Sequence, residues 1–237
     1  MESLGFSPVA YAYPGGGGNL PSTKQALADA GFLSGRLHHP AHSRDPYIIP
    51  GNTLVPDDWY GLPTLVMADI SDGPGMEQAI NSTDELTHYL DEALTRRAWL
   101  ISTYHNIGGE PGTGHYKMSE FITDLEAIKA RSFWSASFND ATLYIMERAQ
   151  AEVSMQRILD ASGAIQELQL RIDDHSTDPR FIQPLTVMFP ISEVWYGLDL
   201  GVYRDDLLQE VINFNSSKGK VSLPPDEQQY VIRPLSI

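Results

Sequence analysis

The sequence predicts an α/β part up to about residue 150, followed by a small all-β part over residues 151–237. In the first part, apolar strand-like segments alternate with amphipathic helix-like segments, which is typical of a parallel sheet covered by helices. After residue 150, short alternating segments separated by turn residues indicate a β-sandwich-like module. The 237 residues are 42% hydrophobic and 10% aromatic, which is enough for a packed core.

The elements of the first part follow from hydrophobic spacing and from helix start signals. Ser82 and Glu85 fit a capping box, so a helix is expected to begin there. Ser119 and Asn139 are predicted to cap two later helices. In chain order we predict strands over residues 7–13, 32–37, 62–70, 98–104 and 132–136, and helices over residues 21–31, 83–97, 119–130 and 139–149.

The all-β part is predicted from seven short segments in which apolar and polar residues alternate. The clearest turn signals are the polar and Gly-containing runs at residues 160–163 and 215–219. The predicted strands cover residues 152–159, 165–172, 185–189, 194–202, 210–214, 218–223 and 229–232.

Two predicted strands end in residues that are suited to chemistry. The strand over residues 98–104 leads into His105 and a Gly-containing loop, and the first strand leads into Tyr13, Pro14 and Gly15. In α/β barrels the catalytic groups lie at the carboxyl ends of the strands. We therefore expect these two strand ends to contribute to one site.

The composition excludes several kinds of partner and chemistry. The formal net charge of −15 disfavours nucleic acid and anionic membranes as partners, because both require clustered Lys and Arg. The absence of cysteine excludes disulfides and thiol catalysis and leaves the cellular compartment open. We predict no membrane span and no signal peptide in this chain.

Several runs, taken in their order along the chain, resemble a known family. The runs from Ala12 to Gly15 and from Trp99 to Gly108, together with Arg36, are similar to late motifs of the NodB-type polysaccharide deacetylases, carbohydrate esterase family 4. Residues 30–32, 133–134, 144–148 and 184–187 add to the likeness. The resemblance implies a partial (β/α) barrel over residues 1–150, corresponding to the carboxyl-terminal half of the deacetylase barrel. A β domain over residues 151–237 is then expected to follow it.

The resemblance also implies roles for particular residues. In the complete family, zinc or another divalent metal activates a water molecule that attacks an acetyl carbonyl. By resemblance, His105 is the general acid, and the Gly15 amide stabilises the oxyanion. Asp69 is a candidate to orient His105, with capping of a turn as the alternative. Tyr13 and Trp59 are candidate substrate-binding residues, with packing in the core as the alternative.

The chain departs from the family pattern at the metal site. The metal-binding Asp motif and His-x-x-x-His motif of the family precede the Tyr-Pro-Gly region, whereas only twelve residues precede Tyr13 here. Ala12 stands where the family has an Arg. We therefore expect no metal bound by this chain and weak or no activity. A site rebuilt from the loop His38–His42, or from the Asp72 turn through a circular permutation, remains the alternative.

Three functions are carried forward from the sequence. The first is hydrolysis of acetyl groups on carbohydrate. The second is a non-catalytic carbohydrate-binding or protein-interaction role, in a homodimer or with a chain that supplies the missing amino-terminal half. The third, an unrelated hydrolase using His105, ranks last because no Gly-x-Ser-x-Gly motif is present. The family is often secreted or attached to the cell envelope, and the sequence leaves the location open.

Overall fold

The structure is a computed structural model. It describes residues 7, 9–14, 20–38, 45–49, 51, 54–69, 79–110, 112 and 114–235. The chain divides into two compact units, Met1–Thr142 and Leu143–Ile237, where the sequence placed a boundary after residue 150. Each unit is described separately below.

The first unit begins with two strand–helix–strand repeats in which the two strands are parallel neighbours. In each repeat the helix forms the crossover connection between the two strands. Parallel neighbours require such a connection because a tight hairpin cannot join them. The first repeat is β1 (Ala10–Ala12), α1 (Pro21–Asp29) and β2 (Ser34–Arg36). The second repeat is β3 (Leu65–Met67), α2 (Thr83–Arg96) and β4 (Ser102–Tyr104).

The two repeats are joined side by side just before β3. Arg36 at the end of β2 forms a parallel bridge with Leu62, and the Leu37 N–H donates to the Leu62 carbonyl at 2.8 Å. The strands therefore follow one another in the order β1, β2, β3, β4, all in the same direction. After β4 come two short parallel strands and a helix: β5 (Asn106–Ile107), β6 (His115–Tyr116) and α3 (Met118–Lys129). The next helix, α4 (Phe138–Gln150), contains the boundary between the two units.

The N-cap predicted from a capping box is confirmed, whereas the two N-caps predicted from a single polar residue are wrong. The Glu85 N–H donates to the Ser82 Oγ at 3.3 Å, as the capping box requires. Lys117, rather than Ser119, is the N-cap of α3. Ser137 accepts the Asp140 N–H at 3.2 Å, and Asn139 lies inside α4.

The strand predicted over residues 132–136 is also wrong. This segment has no regular structure and pairs with no strand among the described residues. Trp134, which made the segment look strand-like, is 58% exposed. Aromatic residues raise the β-propensity of a segment, but without a neighbouring strand that propensity does not produce a strand.

The second unit is built mainly of antiparallel strands. A five-stranded sheet has the order β11-β10-β13-β8-β7, and β12 pairs with β9 in a separate two-stranded sheet. The strands are β7 (Glu152–Leu159), β8 (Ile165–Asp173), β9 (Leu185–Pro190), β10 (Asp199–Arg204), β11 (Leu207–Asn213), β12 (Lys218–Leu223) and β13 (Asp226–Pro234).

Both sheets of the second unit contribute to one hydrophobic core. Leu168, Leu170 and Ile172 from β8 pack with Phe189 from β9 and Val221 from β12. Alternate residues along these strands are buried, which is the pattern expected of sheets that cover a core on one face. Seven strands were predicted here, and the described residues 143–235 form seven. The prediction for residues 194–202 is corrected, because a 3₁₀ helix (Glu193–Trp195) precedes β10.

The fold class is therefore mixed: parallel strands with helices in the first unit, and a five-stranded antiparallel sheet with a small second sheet in the second unit. The described residues form no closed barrel. In the part of the chain that the structure describes, no helix combines the length and the apolar character needed to cross a bilayer.

Candidate functional site

The candidate site lies at the carboxyl edge of the parallel strands in the first unit. Tyr13, His38, Asp69 and His105 each follow the end of one of the strands β1 to β4. β1 and β2 are parallel neighbours, as are β3 and β4, so the carboxyl ends within each pair lie at the same edge. Arg36 at the end of β2 pairs with Leu62, which precedes Met67 at the end of β3, so the ends of the two pairs are offset along the strands. The end of the β3–β4 pair carries the Asp69 carboxylate and the His105 imidazole, and the end of the β1–β2 pair carries Tyr13 and His38.

His105 is exposed at the turn between β4 and β5. Its side chain packs against Gly114: a Cβ built on Gly114 would lie 2.9 Å from the His105 Cβ and 3.1 Å from its Nδ1. The Asn106 N–H donates to the Gly114 carbonyl at 3.1 Å and fixes the two segments together. The loop thus holds the base of the His105 side chain while the imidazole remains open to a ligand.

Asp69 follows β3, which is paired with β4, and His105 directly follows β4. Met67 is the register partner of Tyr104, so Asp69 and His105 follow paired residues on adjacent strands. The Asp69 N–H donates to the His115 carbonyl at 2.7 Å, which ties the end of β3 to the loop that packs on His105. The role of Asp69 in orienting the imidazole remains a prediction that this placement permits.

Tyr13 is part of the hydrophobic core of the first unit. It is 4% exposed, and its hydroxyl donates to the Tyr60 carbonyl at 3.0 Å. Its ring packs edge-on against Tyr11, with centroids 5.4 Å apart, and covers Gly35. Burial raises the pKa of the Tyr13 hydroxyl, so it stays protonated and keeps donating. This is the packing role that the sequence left open as the alternative.

Trp59 and Gly15 complete the predicted set. Trp59 is half-buried, and its carbonyl accepts the Gly35 N–H at 2.8 Å, which links the segment before β3 to β2. A substrate-binding role for its ring remains a prediction. Gly15, the predicted oxyanion donor, lies outside the described residues.

A buried carboxylate beside β4 was missed by the sequence reasoning. Asp124 of α3 is fully buried and accepts hydrogen bonds from the Thr83 hydroxyl at 2.6 Å and the Tyr104 hydroxyl at 2.9 Å. Burial, with a contribution from the Asp124 charge, raises the pKa of Tyr104. The signal was present in the spacing, because Asp124 lies on the same helical face as Phe121 and Ile128.

The part of the chain that the structure describes contains no group of residues that fits the metal implied by the resemblance. Among the residues that the structure describes, no three His, Asp or Glu side chains are grouped so that they could hold one ion. Of the two alternative ligand motifs, His38 is described, whereas residues 39–42 and the Asp72 turn lie outside the described residues. We therefore assign no metal ligand and derive no step through a metal.

Comparison of the chain with protein-family models, with curated proteins and with solved structures gave no match. The assignment of function consequently depends on the residues of the edge itself.

We predict that Gly114→Ala displaces His105 and destabilises the protein, whereas Gly112→Ala does neither. Gly114 has φ +74°, which a Cβ disfavours, and that Cβ would meet the His105 side chain. At Gly112 the nearest atom would be 4.0 Å away. We expect Gly114→Ala to lower the free energy of unfolding by about 1–3 kcal/mol, measured by urea denaturation, and to shift the His105 imidazole signal in NMR spectra. Equal effects of the two variants would contradict this account of the loop.

Proposed function

We propose that the first unit carries part of a hydrolytic site that removes acetyl groups from carbohydrate, organised like the carboxyl-terminal half of a polysaccharide deacetylase barrel. The order β1 to β4, with each strand parallel to the next, is the order that a partial (β/α) barrel would have. The resemblance of the runs around Tyr13 and His105 to deacetylase motifs supports the same proposal.

The observation that carries the proposal is the exposed His105 directly after β4. Histidine exchanges protons near neutral pH, so it suits proton delivery to a leaving amine or alkoxide. His105 would donate this proton, and the packing of its side chain on Gly114 would limit the directions in which the imidazole points.

The proposal is tested by measuring acetate released from an N-acetylated chitooligosaccharide and from acetylated xylan, with and without added Zn²⁺. We expect slow release by the wild type and a loss of about a hundredfold or more in His105→Asn, since general acid catalysis contributes at least that much. His88→Asn is the matched control, because His88 is exposed on α2 and does not follow a strand. Unchanged release in His105→Asn, or no release by the wild type under any condition, would refute the proposal.

A binding role without catalysis is the second candidate, and the exposure of Trp134 favours it. An indole ring that is 58% exposed offers an apolar face for stacking against a sugar. In this case the same oligosaccharide would bind without loss of acetyl groups, and Trp134→Ala would weaken binding while His105→Asn would not.

A further inference from the structure

Arg36 occupies an unusual position for an arginine. It is the last residue of β2 and is half-buried. Its register partners are Ala12 on β1 and Leu62 before β3, and residues paired in this way share one face of the ladder. Neither neighbour can offer a charge or a side-chain hydrogen bond to the guanidinium.

The guanidinium of Arg36 lacks the acidic partner that two other arginines of this unit have. Arg96 contacts Glu92 at 2.6 Å and Arg131 contacts Asp91 at 2.7 Å. Among the described residues, Arg36 forms no ion pair and no side-chain hydrogen bond. Burial lowers the pKa of Arg36, which reflects the cost of removing its charge from water. A cation held in this way is stabilised when an anion binds to it.

We propose that Arg36 is an anion-binding residue whose ligand is a carboxylate. The planar guanidinium matches the two oxygens of a carboxylate, and the small Ala12 beside it leaves space on the same face. No second cation neighbours Arg36 in its strand register, and the chain carries a net charge of −15, so a singly charged ligand suits the site better than a phosphate. Acetate, or the carboxylate of an acidic sugar, has this chemistry. The inference does not depend on the proposed hydrolysis, because binding is measured without turnover.

The experiment follows the ¹⁹F NMR signal of sodium fluoroacetate, at constant ionic strength, as the wild-type protein is added. We expect saturable broadening of the fluoroacetate signal by the wild type. Binding should be weakened tenfold or more in Arg36→Met. It should be weakened by less in Arg36→Lys, which keeps the positive charge but loses the two parallel N–H donors of the guanidinium. Arg97→Gln removes an exposed positive charge at the end of α2 and is expected to bind as the wild type does. Circular dichroism spectra establish that each variant is folded.

Three results would overturn the proposal. The first is binding by Arg36→Met that equals that of the wild type. The second is displacement of fluoroacetate by phosphate at lower concentration than by acetate, which would show a phosphate site. The third is a folded wild type that shows no saturable broadening of the fluoroacetate signal.

Discussion

Replacing Glu147 with glutamine is expected to remove a loss of stability that the wild-type protein undergoes as the pH rises from 5 to 8. Glu147 is 1% exposed, and both of its carboxyl oxygens lie within hydrogen-bond distance of the Gln183 N–H, at 2.9 and 3.0 Å. Burial raises the pKa of Glu147 from 4.5 to about 7; the Gln183 N–H opposes this rise and the charge of Asp174 adds to it.

The direction of the effect follows from comparing the folded and unfolded states. Below pH 4.5 the carboxyl is protonated in both states, and its contribution to stability is fully present. Between pH 4.5 and about 7 the unfolded chain releases the proton while the folded protein retains it, so the free energy of unfolding falls as the pH rises. At about 1.4 kcal/mol per pKa unit, the loss amounts to about 3 kcal/mol in total.

The measurement is urea denaturation of the wild type and of Glu147→Gln in buffers between pH 5 and pH 8. Other groups titrate in this range as well. The difference in the free energy of unfolding between the two proteins therefore isolates the contribution of Glu147. Glu210→Gln is the control, because Glu210 lies exposed on β11 and should leave the profile unchanged. Asp174→Asn should shift the fall in stability to lower pH. A difference between the wild type and Glu147→Gln that does not vary with pH would contradict the buried, proton-retaining carboxyl.

The second unit was predictable from the sequence because its strands are long and their burial alternates. Along β9 and β12, alternate residues are buried, so the period of two is visible in the sequence alone. The turn at residues 160–163 is also local: Asp160 accepts the N–H groups of Ser162 and Ala164, at 2.8 and 3.0 Å. Signals of this kind need no knowledge of the rest of the fold.

The first unit was harder to predict because its strands have only two or three residues and pair with distant parts of the chain. Their order was inferred from alternation with helices, while their bounds depend on pairing that no local pattern specifies. The bridge between Arg36 and Leu62 joins residues that are separated by a long Pro-containing loop. Three of the wrong predictions concern two helix caps and the strand over residues 132–136. Each was predicted from the local residue type alone, which does not show whether a tertiary partner is present.

The sequence located one strand-end histidine and missed two polar groups whose side chains are covered in the fold. His105 was predicted from its position after an apolar run, and it lies at the strand end as expected. Asp124 and Arg36 were not singled out for chemistry, because their importance comes from burial. From the sequence alone, a polar residue on a helix or strand is interpreted as a surface residue, because most polar residues are exposed. Only the structure shows that its face is covered.

Asp124→Ala is expected to cause the largest loss of stability in the first unit. The substitution removes an acceptor that is fully buried and leaves the hydroxyls of Thr83 and Tyr104 without their partner. Each unsatisfied buried donor costs about 1–3 kcal/mol, so the free energy of unfolding should fall by about 3 kcal/mol or more. Glu126→Ala, at an exposed position of the same helix, should change it by less than about 0.5 kcal/mol.

A double-mutant cycle distinguishes loss of the hydrogen bonds from loss of packing. Asp124→Asn and Tyr104→Phe each disrupt the hydrogen bond between the two side chains while preserving side-chain shape. In the double variant, the unsatisfied polar group that each single variant leaves behind is removed. We expect a coupling energy of about 1–2 kcal/mol, measured by urea denaturation. Additive effects would mean that the hydrogen bond between Tyr104 and Asp124 does not contribute to stability. Because Tyr104 directly precedes His105, the Asp124→Ala protein should also show an altered His105 imidazole signal. The carboxylate would then support both the fold and the position of the proposed acid.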